Sequence, residues 1–295
     1  MQSPATCPAL TRIRQYLQMA RDRQCTLIMG VLNVTPDSFS DGGLFFQVDA
    51  AVAHAERMVA EGAHIIDVGG ESTRPATFTS LQPLDPDEER RRILPVIARI
   101  RERLPEVPVS VDTYKAAVAR DAVAAGAVLV NDISALRADP EMATTVAALQ
   151  VPVCLMHMPG LPKAIPADPG YTDVVAEVVA HLKERAEAAQ AAGIAPQDIL
   201  VDPGIGFGKS VSDNLALLRR LPEIAALGYP VLIGTSRKSM IGKVLGDLPP
   251  EDRLEGTAAT VALSIAYGAT MVRVHDVRAM ARVARMTDAI VRGWP

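Results

Sequence analysis

The chain has 295 residues, 49% apolar and 22% charged, with a formal net charge of −4. So much apolar residue is enough for a large buried core, no low-complexity stretch interrupts it, and the acidic balance offers no basic surface for nucleic acid. Cys7, Cys25 and Cys154 are odd in number and far apart, which argues for reduced thiols in a cytoplasmic protein and against a disulfide frame or a zinc site.

Residues 1–24 show no secretory pattern and are set apart as an amino-terminal extension, in which Leu10, Ile13, Leu17 and Ala20 are spaced for a short helical cap without an assigned function. Residues 25–295 read as one domain. Eight short apolar runs follow, each ending at or near a polar residue: 27–32 at Asn33, 65–66 at Asp67, 109–111 at Asp112, 128–130 at Asn131, 153–156 at His157, 199–201 at Asp202, 231–233 near Ser236, and 271–272 at Arg273. Interiors this apolar suit parallel strands buried on both faces. Between the runs the period is helical: Val174, Val175, Val178, Val179 and Leu182 share a face opposite Lys183, Glu184 and Glu187, and Val118, Ala122 and Val123 lie opposite Arg120 and Asp121. The apolar stretch 258–272 is broken by Thr260, Ser264, Tyr267 and Gly268 and is expected to be a helix turning into the eighth strand, not a membrane span.

Strand alternating with helix eight times over about 250 residues predicts an α/β protein of the TIM, or (β/α)8, barrel class in a single domain. An open doubly wound sheet is the rival, but it needs a dinucleotide-type turn after the first strand, and 33–43 is not one. In a barrel the carboxyl ends of the strands form the active site, so Asn, Asp, His, Ser and Arg at eight strand ends predict an enzyme. The long polar loops 33–43 and 67–85, each with a pair of glycines, predict a lid over that mouth. Gly208-Lys209-Ser210 resembles the end of a P-loop, but Pro203 stands where its first Gly belongs; 204–208 fails the dinucleotide fingerprint because Lys209 replaces the third Gly. Neither ATP nor NAD is implied. His54 and His181, inside helical stretches, and His64, opening the second strand, are expected to be surface or packing residues.

Residues 30–43, Gly-Val-Leu-Asn-Val-Thr-Pro-Asp-Ser-Phe-Ser-Asp-Gly-Gly, and 65–75, Ile-Ile-Asp-Val-Gly-Gly-Glu-Ser-Thr-Arg-Pro, closely resemble the two signature segments of the dihydropteroate synthase family of pterin-binding enzymes. The likeness continues through Val-Asp-Thr-Tyr-Lys at 111–115, Asn-Asp-Ile at 131–133, Met-His-Met at 156–158, 202–209, Ser-Arg-Lys-Ser at 236–239 and 272–276, and so spans about residues 26–291. It implies a TIM-barrel transferase of folate synthesis that joins 4-aminobenzoate to a dihydropterin methyl diphosphate and releases diphosphate. Ala76 departs from the pattern, which has Gly there, and this bears on the mobility of the second loop.

A pterin edge sets N–H donors beside a carbonyl, so it calls for a buried carboxylate and an amide that both donates and accepts. Asp202, Asn131 and Asp112 offer that set, and the resemblance places them in the pterin pocket; Asp112, just before a helical stretch, has helix capping as its alternative. Lys238 and Phe207 are expected over and beside the ring, and Met156 at its floor or, as the commoner meaning, in the core. By the same resemblance Asn33, Arg273 and His275 grip the diphosphate, with Asn33 also a ligand of Mg2+. Phe39, Thr73, Arg74, Pro75 and Ser239 surround the 4-aminobenzoate, while Asp41, Asp112, Lys238 and Arg273 serve the chemistry, the two carboxylates by stabilising a developing cation. Pterin contacts would then come from strands three, four and six and diphosphate contacts from strands one and eight. A homodimer and sulfonamide sensitivity are also expected. A pterin-dependent methyltransferase, a silent pterin-binding paralogue and a phosphosugar isomerase are the alternatives. The first has no use for the 236–239 segment, the second is expected to lose Asn33, Asp41, Thr73 or Arg74, and the third needs a base at a strand tip but no paired lids.

Overall fold

Runs of Val, Ile and Leu bounded by polar residues become the strands of a barrel in the computed structural model, which describes residues 7–35, 44–71, 83–162, 164–165 and 169–294. The strands are β1 (Leu27–Asn33), β2 (Ile65–Gly69), β3 (Val109–Asp112), β4 (Leu129–Asp132), β5 (Val153–Met156), β6 (Ile199–Asp202), β7 (Leu232–Ile233) and β8 (Met271–Val274). All ladders are parallel, in the order β6-β5-β4-β3-β2-β1-β8-β7. A bridge between Val201 and Val231, with the Val201 amide donating to Pro230 O at 3.0 Å, joins the two ends and closes the circle.

Parallel neighbours need crossovers. Among the described residues the helices are α1 (Pro8–Arg21), α2 (Leu44–Ala60), α3 (Pro86–Arg103), α4 (Ala116–Ala125), α5 (Met142–Leu149), α6 (Val174–Ala191), α7 (Val211–Arg219), α8 (Leu221–Ala225), α9 (Ser239–Val244), α10 (Leu254–Ala266) and α11 (Val277–Arg292). The predicted stripe of α6 faces inward, with Val174, Val175, Val178 and Leu182 buried, and Asp173 caps the helix by accepting from the Val175 and Ala176 amides. The stretch 258–272 divides as expected into α10 and β8, and no helix among the described residues is long and apolar enough to cross a membrane.

Three strands run past the polar residue at which the apolar pattern stops, β4 by one residue to Asp132. β2 continues to Gly69, so Asp67 lies inside the strand and is fully buried; β8 continues to Val274, with Arg273 its third residue. Side chains of a barrel strand alternate between the interior and the helix layer, so these two charges sit within the barrel mouth, below its rim.

The amino-terminal segment closes the opposite end. Ala9, Leu10, Ile13, Leu17 and Ala20 of α1 are buried in the same apolar cluster as residues of all eight strands. Arg14 pairs with Asp198, just before β6, at 3.1 Å, and Tyr16 meets the His64 ring edge-on with centroids 5.3 Å apart. His64 accepts the Ile28 amide on Nδ1 at 3.0 Å, the structural role expected of it, and burial lowers its pKa, which keeps that nitrogen free to accept. Helix α1 is thus a plug for the barrel's amino-terminal end, held mainly by apolar burial. Leu17→Ala should lower unfolding free energy by roughly 2–5 kcal/mol, the range for a buried Leu truncated beside packed neighbours. Denaturant unfolding measures it, and ligand affinity at the far end of the barrel should not change.

Candidate active site

Strand register brings the polar ends together. Asn33 is level with Gly69, Gly69 with Asp112, and Asp112 with Asn131, while Met156 is level with Asp202 across the barrel. Alternation along β4 sends Asn131 and Asp132 to opposite faces. Asp132 spends its carboxylate on the next turn, accepting from the Ser134 and Leu136 amides at 2.7 and 2.8 Å, and leaves Asn131 to the mouth. Asp112 does not cap the following helix: the Ala116 amide at the start of α4 donates to Asp139 at 2.8 Å instead.

The centre of the mouth is an ion cluster. Arg273 donates from Nε to Asp67 Oδ2 at 2.6 Å and from Nη2 to Asp112 Oδ2 at 2.8 Å, and Asn131 Nδ2 reaches the same Asp67 oxygen at 3.3 Å. Two buried carboxylates share one guanidinium, so burial lifts the Asp112 carboxyl above its ordinary range, Asp67 adds repulsion, and Arg273 opposes both. Arg273 of β8 is thus bonded to side chains of β2 and β3, next to the residues expected for the pterin.

Around this cluster stand two tightly built turns. After β6, Asp202 Oδ1 accepts the Gly204 amide at 2.7 Å, and burial raises the Asp202 carboxyl to about 6. Gly204 has φ +67°, and a Cβ there would overlap the His157 carbonyl, so glycine is required twice over. Lys209 donates to Gly204 O at 2.9 Å and Phe207 O at 3.1 Å, which makes it a clamp for this turn. That arrangement agrees with the absence of a P-loop. After β7, Arg237 holds a left-handed φ of +58° against an ion pair with Asp276 at 2.6 Å, and Arg253 donates to its carbonyl at 2.8 Å. This fixes the next residue, Lys238, whose Nζ sits 4.4 Å from the Phe207 ring centroid. Burial, with repulsion from Arg273, lowers the Lys238 ammonium to about 8.

Met156 and Phe207 share a small apolar cluster with Tyr114, Ile133 and Met158. His275 is held by Ser236 Oγ, 3.1 Å from its amide and 3.0 Å from Nδ1, and burial with nearby Arg273 depresses the ring to about 3, so it stands at the mouth uncharged. Ser239 opens α9 on the exposed rim. His181 packs edge-on against His157, centroids 4.8 Å apart. Phe39, Asp41, Thr73, Arg74 and Pro75 lie outside the described residues, as does Ala76.

The family model described as pterin binding enzyme matches residues 29–275. The chain belongs to that family. Among similar proteins, the dihydropteroate synthase of Bacillus subtilis is 50% identical over 91% of this chain and 90% of its own. The solved dihydropteroate synthase of Xanthomonas albilineans with 4-aminobenzoic acid superposes with a TM-score of 0.84 at 48% identity, covering 92% of this chain and 94% of that one. The same enzyme in complex with 7,8-dihydropteroate gives 0.80 at 47%, covering 92% and 95%. Members of this pterin-binding family named as synthases are enzymes, and so is this chain.

Asp67 and Arg237 are the residues whose part the sequence reading missed. A charge inside the run Ile65-Ile-Asp-Val was a signal available for Asp67, since a carboxylate in a buried strand needs a partner. Arg237 gave none, because its partner is 39 positions away. Arg273→Ala would leave Asp67 and Asp112 side by side without their cation. The expected result is weaker binding of a pterin alcohol and of its diphosphate alike, each by roughly 1.5–3 kcal/mol in calorimetry, the scale of a charge-assisted contact. A parent-like affinity for the alcohol would show that Arg273 serves the diphosphate alone.

Proposed function

We propose that this mouth joins (7,8-dihydropterin-6-yl)methyl diphosphate to 4-aminobenzoate, giving 7,8-dihydropteroate and diphosphate for folate synthesis. The observation that carries the reading is the convergence of Asp112, Asn131 and Asp202 with Lys238 stacked on Phe207. Asn131 gives an N–H to Asp67, so its Oδ1 is the atom left to accept, and Asp202 has its second oxygen beyond the Gly204 bond. These acceptors match the N–H groups of a pterin edge, and the Lys238–Phe207 pair offers a cation and a flat apolar face for the ring. The bound ligands of the Xanthomonas albilineans enzyme support the pairing of substrates.

The reaction breaks the bond between the pterin methylene carbon and the diphosphate oxygen and forms a carbon–nitrogen bond to the arylamine, whose proton passes to solvent or to the released diphosphate. The amine is already a free base at neutral pH, so the chain's task is positioning and charge stabilisation. Asp112 and Asp41 stabilise positive charge growing on the pterin methylene; Arg273 and Asn33 receive the departing diphosphate. His275, uncharged before substrate binds, contributes a ring N–H and leaves the positive charge to Arg273. Asn33 Oδ1 and Asp112 Oδ2 lie beside Gly69, 3.8 and 3.7 Å from where its Cβ would stand, with Asp112 Oδ2 also held by Arg273. Among the described residues no group of three His, Cys, Asp or Glu could hold a metal. That donor set fits Mg2+, which takes few protein ligands and completes its shell with phosphate oxygens and water. When bound, it would neutralise charge on the leaving diphosphate. Ser239 at the rim, with Phe39, Thr73, Arg74 and Pro75, takes the 4-aminobenzoate carboxylate and ring, and sulfonamides fit the same slot. The same reading makes the enzyme a cytoplasmic homodimer, in keeping with its free cysteines.

Diphosphate release should require both substrates and a divalent ion, with a sulfonamide competing against 4-aminobenzoate. Turnover that survives exhaustive chelation removes the metal from the scheme, and inhibition independent of 4-aminobenzoate removes the slot. Pterin binding should also depend on pH. The pterin needs Asp202 charged, and burial has raised its carboxyl to about 6 in the free enzyme. Affinity should therefore fall by up to about tenfold per pH unit below that pH as a proton is lost from Asp202 for each pterin bound, in addition to a slope from Asp112, whose carboxyl is raised to about 7. Calorimetry from pH 5 to 8 on the parent and on Asp202→Asn tests this: the variant should bind weakly with a shallower slope below pH 6, and an equally steep slope there in both assigns the titration to another group.

A further inference from the structure

Three of the six residues in the turn 203–208 after β6 are glycine, and Gly204, Gly206 and Gly208 hold positive φ of +67°, +85° and +56°. A segment this rich in glycine has little shape of its own, so its order must come from outside it. Lys209 supplies it from one side. Its ammonium donates to Gly204 O at 2.9 Å and Phe207 O at 3.1 Å, and reaches His157 O, just after β5, at 3.4 Å. An ammonium has three N–H groups, and here each has a carbonyl, so none is left for a substrate. From the other side Asn214 of α7, itself 2% exposed, accepts the Gly206 amide on Oδ1 at 2.7 Å and donates from Nδ2 to the carbonyls of Lys209 and Ser210 at 3.2 and 2.7 Å. The turn is gripped at its beginning, middle and end.

What the turn carries makes this grip matter. Asp202 Oδ1 is aimed by the Gly204 amide at 2.7 Å, and Phe207 brings its ring to 4.4 Å from Lys238 Nζ. A Cβ on Gly206 would stand 3.1 Å from Lys238 Cδ, so the backbone of the turn also sets how that lysine lies over it. A shift of the Gly204 and Phe207 carbonyls therefore moves a carboxylate, a ring and a cation together. Only the charged form of Lys209 satisfies all three carbonyls, because the neutral amine has two N–H groups and turns a lone pair on the third oxygen. Burial lowers this ammonium to about 7, against Asp202 of β6 and Asp213 of α7 and together with Lys238. His157 and His181 of α6 also face it, and burial depresses their rings to about 2 and about 4, so they bring no charge.

We propose that Lys209 is a positioning residue for the pterin, its grip on three carbonyls holding the turn 203–208 in the shape that aims Asp202 and sets Phe207 beneath Lys238. With its N–H groups spent, Lys209 acts through the turn and not by contact with substrate. The inference rests on the reading of Asp202, Phe207 and Lys238 as pterin contacts. The grip needs the proton, so it is complete at acid pH and is lost as pH rises through about 7.

Calorimetry with 6-hydroxymethylpterin on the parent, Lys209→Met, Lys209→Arg and Phe207→Ala tests it. Lys209→Met should raise the dissociation constant about tenfold or more, the scale on which a small misplacement of binding groups acts. Lys209→Arg, which keeps a cation that does not titrate in the working range, should recover part of that loss. Between pH 6 and 9 the parent's dissociation constant should rise about fivefold or more relative to that of the arginine variant, because titration of the pterin, of Asp202 and of Lys238 is common to both and cancels. This ratio gives the answer if the methionine variant does not fold. A ratio constant across that range overturns the proposal, since a lysine that merely supports the fold has no reason to move it, and parent-like affinity in Lys209→Met overturns it as well. In either case a weakened Phe207→Ala leaves the pterin site standing. If Phe207→Ala binds like the parent, the placement of the pterin fails and the inference with it.

Discussion

One guanidinium between two carboxylates organises the mouth of this barrel. Arg273 meets Asp67 at 2.6 Å and Asp112 at 2.8 Å, and Asn131 is oriented by the same Asp67 oxygen. Three charges from β2, β3 and β8 withdrawn from water are tolerable only as a bonded set, since any one alone would bear the desolvation penalty unpaired. The amide of Asn131, the ionisation of Asp112 and the lowered ammonium of Lys238 all answer to where that guanidinium sits.

Rigidity is distributed to suit. The turn after β6 is locked by Gly204, by the Asp202–Gly204 bond and by the Lys209 ammonium among carbonyls; the turn after β7 is locked by Arg237 with Asp276. Both present short side chains or buried ammonium groups to a flat substrate, where little reorganisation is wanted at the moment of bond breaking.

Much was legible before any coordinates. The eight apolar runs ending in polar residues gave strand number, parallel pairing and the end at which the site lies, because strands buried on both faces are mostly apolar along their length. The inward stripe of α6 and the burial of Leu10, Ile13, Leu17 and Ala20 in α1 follow from a period of 3.6. The polar residues gathered at the mouth, among them Asp112, Asn131 and Asp202, were legible as strand endings, and the order and spacing of the segments carried the family. The comparisons agree with that family over residues 29–275.

What the linear order does not contain is which charges meet. Arg273 and Asp67 are 206 positions apart, Lys115 and Glu71 are 44, and Arg237 and Asp276 are 39. Closure of the barrel sets β8 against β1 and β1 against β2, and only then does an arginine three residues into β8 lie within reach of a carboxylate three residues into β2. The sequence by itself determined the periodicities, the strand tips and the chemistry they offer, because these depend on each residue's neighbours along the chain. Tertiary structure alone decided the pairing, and with it that His275 is uncharged and that Arg273 is shared, because desolvation and Coulomb attraction act through space.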